Sequence, residues 1–195
     1  LLAVSLWCPH FPYQCPEDLF NYYMRRVEPY VEDLPRKFDC DDFFKVQIGH
    51  DVTYREAHRA SAAYYGMIES VDRQYARVID KLEELNVMDD FVVVFFSDHG
   101  EMLGQKGLWA KQQYFEASAR VPFFISSPKG FPNGSKIVRE NVSLVDLFPT
   151  LCDITNLPTP EGLDGHSLVP LMQGQKHEWS SEAYCELHTH QHGPS

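Results

Sequence analysis

An α/β fold, with a mostly parallel sheet flanked by helices, is the architecture this sequence predicts, and three observations carry it. The segment from Thr53 to Leu85 places apolar residues at three- and four-residue steps, the period of an amphipathic helix. The uncharged run Phe91 to Ser97 follows closely and is dominated by Val and Phe, as in a strand buried on both faces. A helix passing into such a strand is the repeating unit of α/β folds.

Taken in order, Leu1 to Trp7 reads as a short apolar strand that breaks at Pro9-His10-Phe11-Pro12. Proline fixes φ on either side of His10 and makes it a held group. Gln14 to Val52 is rich in aromatic, proline and acidic residues without a sustained period, and reads as a long connection with short helices. In the Thr53 to Leu85 helix, Ala57, Ala60, Tyr64, Met67, Ile68, Val71, Tyr75, Val78, Ile79 and Leu82 form the stripe that would pack on the sheet, while His58 reads as a packing or surface residue. Val87 to Asp90 turns into the Phe91 strand, and Gly104 and Gly107 make a flexible loop before Trp109. Val121 to Ser127 is a third strand, ended by Pro128 and followed by a turn through Gly134. Ser143 caps a helix, with Asp146 in capping-box position and Pro149 expected to kink it. A Pro/Gly loop from Leu157 to Gly165 leads to a short helix, Ser167 to Met172. No internal repeat appears, so residues 1–195 read as one domain.

The chemistry concentrates between Phe91 and Lys111. Ligands in sheets of this kind bind beyond the carboxyl ends of the strands, where Asp98 and His99 lie. Asp supplies a hard oxygen for a divalent cation and His a nitrogen, while Gly100 lets the backbone turn without a Cβ clash. Lys111 would then hold an anionic group against the cation, its stem packed by Trp109. Asp-His-Gly at a strand end also reads as a capped turn. What favours a site is the second histidine, His10, at another strand end.

Composition sets bounds. With 195 residues, 44% of them apolar, the chain can bury a substantial core and is not disordered. A formal charge of −11 argues against nucleic acid or an anionic membrane as partner. An anionic substrate would be held locally, since charges beyond a Debye length of about 8 Å are screened. Five cysteines without CxxC spacing suit free thiols in a reducing, cytoplasmic setting, with a periplasmic, secreted or lysosomal one left open.

Pro9-His10-Phe11-Pro12-Tyr13, the helix containing AAYYGMIESVDRQ, the run SDHGEMLGQKGLWAK, then YFEASARVPF and LVDLFPTLCDITNLPTPEGLDGHSLVPLM together resemble the type I sulfatases of the alkaline-phosphatase-like superfamily. The wording is nearest to the choline-sulfatase-like and iduronate-sulfatase-like branches. The resemblance covers nearly the whole chain and implies a sulfuric ester hydrolase acting on a small-molecule or saccharide sulfate ester. It implies that Asp98 and His99 are cation ligands, that Lys111 contacts the sulfate, and that His10 contacts it and protonates the leaving oxygen. It also implies two cofactors: a divalent cation, Ca²⁺ ahead of Mg²⁺ or Mn²⁺, and a formylglycine nucleophile made from a Cys/Ser-x-Pro-x-Arg motif.

That motif is not in these 195 residues: Cys8 begins Cys-Pro-His-Phe-Pro and Cys15 begins Cys-Pro-Glu-Asp-Leu. The chain is therefore expected to be an incomplete, C-terminal part of a sulfatase catalytic domain, with formylglycine upstream and no turnover of its own. Two other readings stand beside this one. A phosphodiesterase or phosphonate monoester hydrolase of the same superfamily shares the Asp-His and Lys frame, and a non-catalytic metal-binding fragment would keep the fold alone. Glu101 and Glu116 read as capping or network residues. The histidines at positions 188, 190 and 192 alternate, and read either as a solvated end or as one face of a metal site.

Overall fold

The computed structural model describes residues 1–30, 52–111, 114–127, 137–175 and 179–186. They fall into two compact units, Leu1–Met88 with His99–Phe123, and Asp89–Asp98 with Phe124–Ser195.

The first unit is built on two helices, α1 (Glu17–Tyr23) and α2 (Tyr54–Glu84). Helix α2 starts at a capping box, in which the Glu56 amide donates to Thr53 Oγ1 at 3.3 Å and the Thr53 amide to Glu56 Oε2 at 2.9 Å. Its buried residues, Ala57, Ser61, Ala62, Ala63, Gly66 and Met67, all lie in its N-terminal half and are mostly small. Small residues let α1 come close. A Cβ on Gly66 would lie 2.5 Å from Cys15 Sγ, so only glycine admits the thiol there. Leu19 of α1 is buried, Tyr23 donates to Glu69 at 2.8 Å, and Arg59 lies over the Phe20 ring at 5.1 Å. Beyond Met67, the expected stripe continues half-buried through Val71, Tyr75, Val78, Ile79 and Leu82, but Ile68 is exposed. His58 packs beside Tyr54, ring centroids 5.9 Å apart, as a packing residue should. The helix ends in a Schellman arrangement: Asn86 turns left-handed at φ 55° and the Val87 amide donates back to the Leu82 carbonyl at 3.1 Å.

Leu1 to Trp7 is not a strand. Leu1, Leu2, Val4 and Trp7 are exposed, and among the described residues the sheet contains two other segments only. An apolar alternation becomes a strand only when a neighbour takes up its amides and carbonyls.

The second unit holds that sheet, β1 (Val93–Phe96) paired with β2 (Phe123–Ser126). Phe95 and Phe124 stack at 5.1 Å across the pair. Full burial on both faces, expected for the Phe91 run, is not observed. Phe96 and Phe124 are 44% and 53% exposed, and β2 alternates between half-buried and exposed residues. Alternation marks one packed face and one face turned to solvent.

After the sheet, a 3-10 turn, Leu144–Asp146, runs into α4 (Leu147–Ile154), the short helix α3 (Glu116–Ala119) having come earlier in the first unit. The buried Asp146 carboxylate accepts the Ser143 amide at 2.8 Å and the His166 amide at 2.9 Å. Thr150 Oγ1 donates to the Asp146 carbonyl at 2.5 Å and accepts the Leu168 amide at 2.9 Å, tying α4 to α5 (Val169–Met172). Pro149 does not interrupt α4. It occupies the first turn, where the amide it lacks has no intrahelical acceptor. Helix α4 also ends on a left-handed asparagine, Asn156 at φ 54°, with the Leu157 amide on the Cys152 carbonyl at 2.9 Å. The following loop returns tightly at Gly165, where a Cβ would lie 2.1 Å from the Val145 carbonyl, whereas nothing lies within 4 Å of a Cβ on Gly162. The histidines at 188, 190 and 192, and Cys40, lie outside the described residues.

Candidate active site

Two loops of the first unit carry two of the polar side chains singled out above, His10 and Lys111. The first runs through Trp7 to Pro12, with cis peptides at Cys8-Pro9 and Phe11-Pro12 and the His10 amide donating to the Trp7 carbonyl at 3.1 Å. The His10 ring is held between Trp7 and Phe11, at centroid distances of 4.7 and 4.2 Å. Its Nδ1 lies 2.8 Å from the Phe11 carbonyl. A carbonyl only accepts, so Nδ1 carries the proton and Nε2 is the accepting nitrogen in the neutral ring.

The second loop, Glu101 to Lys111, folds back on itself. Met102 donates to the Ala110 carbonyl and Gly104 to the Leu108 carbonyl, both at 2.8 Å, around a 3-10 turn at Gln105–Gly107. Five of its residues are left-handed: Leu103, Gly104, Lys106, Gly107 and Ala110, at φ 46°, 91°, 55°, 69° and 62°. Met102, Leu103 and Leu108 anchor it in the core. One carboxylate organises it. Glu101 Oε1 accepts the Leu103 amide at 3.1 Å and the Ala110 amide at 2.5 Å. Tyr13, three residues after His10, gives its hydroxyl to the same carboxylate.

The loops meet at Lys111. Its Nζ donates to His10 Nε2 at 2.6 Å, and it sits 5.2 Å above the Phe11 ring. The Trp109 ring lies 6.4 Å from that of Tyr13. His99 approaches His10 edge-on, ring centroids 6.4 Å apart, and its Nδ1 donates to the Gly100 carbonyl at 2.8 Å. Gly100 is there for close approach: a Cβ would lie 2.0 Å from the Ala117 carbonyl, and its amide donates to Ser118 at 2.8 Å.

Of the sequence-derived site residues, the structure thus brings His10, His99 and Lys111 together in the first unit. Asp98 belongs to the second unit, exposed beyond β1. Among the described residues no three His, Cys, Asp or Glu side chains cluster as a metal site. One carboxylate oxygen and one imidazole suit part of a divalent cation's coordination, which for Ca²⁺ takes about six to eight ligands. Glu116 opens α3 and pairs with Arg120 at 3.4 Å, a surface ion pair.

The surrounding acid-base groups are set by burial. Burial, followed by the charge and hydrogen bond of Glu101, raises the Tyr13 hydroxyl far above its ordinary range. Tyr64 is pushed up to about 12, by burial first and by Glu101 second. Burial, then Asp18, also raises the Cys15 thiol, which works against a thiolate nucleophile at that position. The four described cysteines, Cys8, Cys15, Cys152 and Cys185, are free. No helix among the described residues is long and apolar enough to cross a membrane. Tyr13 is the member of this network that periodicity and motif spacing least reveal, because its partner, the Glu101 carboxylate, is distant in sequence.

Comparison with known proteins identifies the frame. The family model described as Sulfatase matches residues 1–157. A choline-sulfatase of Rhizobium meliloti (strain 1021) is 33% identical over 183 residues, 89% of this chain and 35% of the relative. An arylsulfatase of Clostridium perfringens (strain 13 / Type A) is 33% identical over 191 residues, 95% of this chain and 40% of the relative. A phosphonate monoester hydrolase from Silicibacter pomeroyi superimposes with a TM-score of 0.71 at 27% identity, over 88% of this chain and 37% of that structure. The chain therefore spans 35 and 40% of the length of these two curated relatives. The fold is the α/β fold of the sulfatases and of the alkaline-phosphatase-like superfamily, represented here in part.

Proposed function

Because this chain belongs to the sulfatase family, we propose that it serves the hydrolysis of a sulfate monoester, with His10 and Lys111 on the sulfate oxygens and Asp98 and His99 as ligands of a divalent cation. The observation that carries this reading is the contact between Lys111 Nζ and His10 Nε2 at 2.6 Å, made by two half-buried groups from separate loops. An ammonium and an imidazole converging on one point suit the non-bridging oxygens of a tetrahedral anion. Charge builds on the non-bridging and leaving oxygens as the S–O bond breaks, and a fixed ammonium stabilises it. The Lys111 donors that His10 now accepts would turn to the substrate oxygens. His10, its Nδ1–H held by the Phe11 carbonyl, would take up a proton from water at the Nε2 that Lys111 vacates and pass it to the leaving oxygen, a role worth about 10²–10⁴-fold in rate.

Asp98 and His99 offer the oxygen and nitrogen donors that Ca²⁺, Mg²⁺ or Mn²⁺ accept, and a bound cation would add Lewis-acid stabilisation of the developing charge. No step is assigned to a formylglycine, because neither Cys8 nor Cys15 stands in the motif that yields one. The substrate class is a small-molecule or saccharide sulfate ester, in keeping with the choline-sulfatase and arylsulfatase relatives.

The second reading, phosphonate monoester hydrolysis, is supported by the likeness to the Silicibacter pomeroyi enzyme. A tetrahedral phosphonate presents the same oxygens to Lys111 and His10. Steady-state assays of the full-length protein with an aryl sulfate, choline sulfate and an aryl phosphonate monoester separate the two. Higher kcat/KM on a sulfate is the expected result, and turnover of the phosphonate alone would replace this reading with the second.

A further inference from the structure

The loop that carries Lys111 is an improbable one for its sequence. Any residue with a Cβ resists the left-handed region, yet Leu103 and Ala110, at the two ends of the loop, both occupy it, at φ 46° and 62°. Both give their amides to one atom, Glu101 Oε1, at 3.1 and 2.5 Å. The same carboxylate also takes the Tyr13 hydroxyl, from the chain that has just left His10. One side chain therefore fixes the residue immediately before Lys111 and links it to the loop of the residue that Lys111 reaches.

We propose that Glu101 is a positioning residue for Lys111: by accepting the amides of Leu103 and Ala110 it locks the left-handed backbone that aims the Lys111 ammonium at His10. Glu101 does not touch the anion in this scheme, and it acts through Lys111 alone. Its charge is secondary. What matters is an acceptor at that point, so glutamine, which keeps one carbonyl oxygen, does most of the same work, whereas alanine leaves both amides without an acceptor. Glycine at position 110 would adopt the left-handed region without the Cβ penalty and so lessen the dependence on Glu101. The kinetic part of this proposal rests on the sulfate-ester reading above, but the geometric part does not.

Crystal structures of E101A and E101Q come first. Separation of Lys111 Nζ from His10 Nε2 in E101A and its retention in E101Q is the expected pair of results; a contact unchanged in E101A overturns the proposal whatever the substrate. Kinetics on an aryl sulfate with the full-length protein follow, with folding checked by circular dichroism. A misplacement on the ångström scale predicts about a hundredfold loss of kcat/KM in E101A. E101Q should stay close to wild type, and A110G should restore E101A by about fivefold or more. The double variant E101A/K111A should be no worse than K111A. Additive losses, or an E101Q as impaired as E101A, overturn the proposal, and if E101A does not fold, E101Q and the A110G rescue still decide it. Should K111A itself leave kcat/KM unchanged, the sulfate-ester reading fails, while the distances in the E101A structure still judge the positioning role.

Discussion

Lys111 Nζ and His10 Nε2 stand 2.6 Å apart although 101 positions separate the two residues. Since His10 gives its Nδ1 proton to the Phe11 carbonyl, the ammonium is the donor and the imidazole the acceptor. Two loops with separate origins therefore agree on one point in space, and the function proposed here depends on that agreement.

The first prediction isolates position from charge. Lys111→Ala in the full-length protein should lower kcat/KM on a sulfate ester by about a hundredfold or more, the order of a lost oxyanion donor. Lys106→Ala, in the same loop but with its ammonium 5.2 Å over the exposed Phe115 ring, should cost under about 0.5 kcal/mol. Steady-state kinetics of both variants provide the check; comparable losses would mean that general attraction, rather than placement, explains the role of Lys111.

Gly100→Ala should be poorly tolerated. Its Cβ would lie 2.0 Å from the Ala117 carbonyl, so backbone must move on one side, at a cost of about 3 kcal/mol or more. His99 would shift with it. Thermal melting of this variant against wild type measures the loss, and an unchanged Tm would show that the turn has more slack than this distance implies.

Asp98→Ala should weaken Ca²⁺ or Mg²⁺ binding and abolish activity, because a hard carboxylate oxygen is the donor these ions favour. Calorimetric titration of the full-length variant with each ion is the measurement. Wild-type affinity in the variant would reassign Asp98 to a structural part.

Alkaline pH should unfold the chain by way of its buried tyrosines. Tyr64 keeps its proton to about pH 12 in the folded protein, because burial, and then Glu101, oppose the phenolate. An unfolded tyrosine ionises near pH 10. The folded state binds the proton more tightly, so this contribution is complete below pH 10 and is lost as pH rises from 10 towards 12. Up to about 2 kcal/mol is at stake for Tyr64. Urea denaturation at several alkaline pH values should show a shallower decline for Tyr64→Phe than for wild type, and equal slopes would contradict the argument.

Much of this was legible in the sequence where the signal is local. Most of the α2 stripe and the capping box at Ser143 and Asp146 depend on neighbours within a few residues, and they appear as read. The Leu1 to Trp7 segment was misread because strand pairing depends on a partner elsewhere in the chain, which local alternation does not encode. Pro149 was misread for a smaller reason: one turn separates a kinking proline from a harmless one. In the candidate site, His10, His99 and Lys111 could be named from motif and spacing and Glu101 as a network residue, but the amides that Glu101 accepts and the place of Phe11 could not. Their work is done on backbone amides and across loops, and that geometry exists only after folding.

The return at Gly165 divides the loop after α4 into a part that is fixed and a part that is not. The Val145 carbonyl forbids any side chain at Gly165, and Asp146 clamps the next amide, whereas Gly162 looks out on empty space. Since the ends are pinned and the middle is unconstrained, added length at Gly162 meets only chain-closure entropy, about 0.6 kcal/mol for each doubling of the loop. A peptide tag or fluorescent reporter spliced in there would report on α4 and α5 without loosening them, and the same splice three residues later would pry them apart.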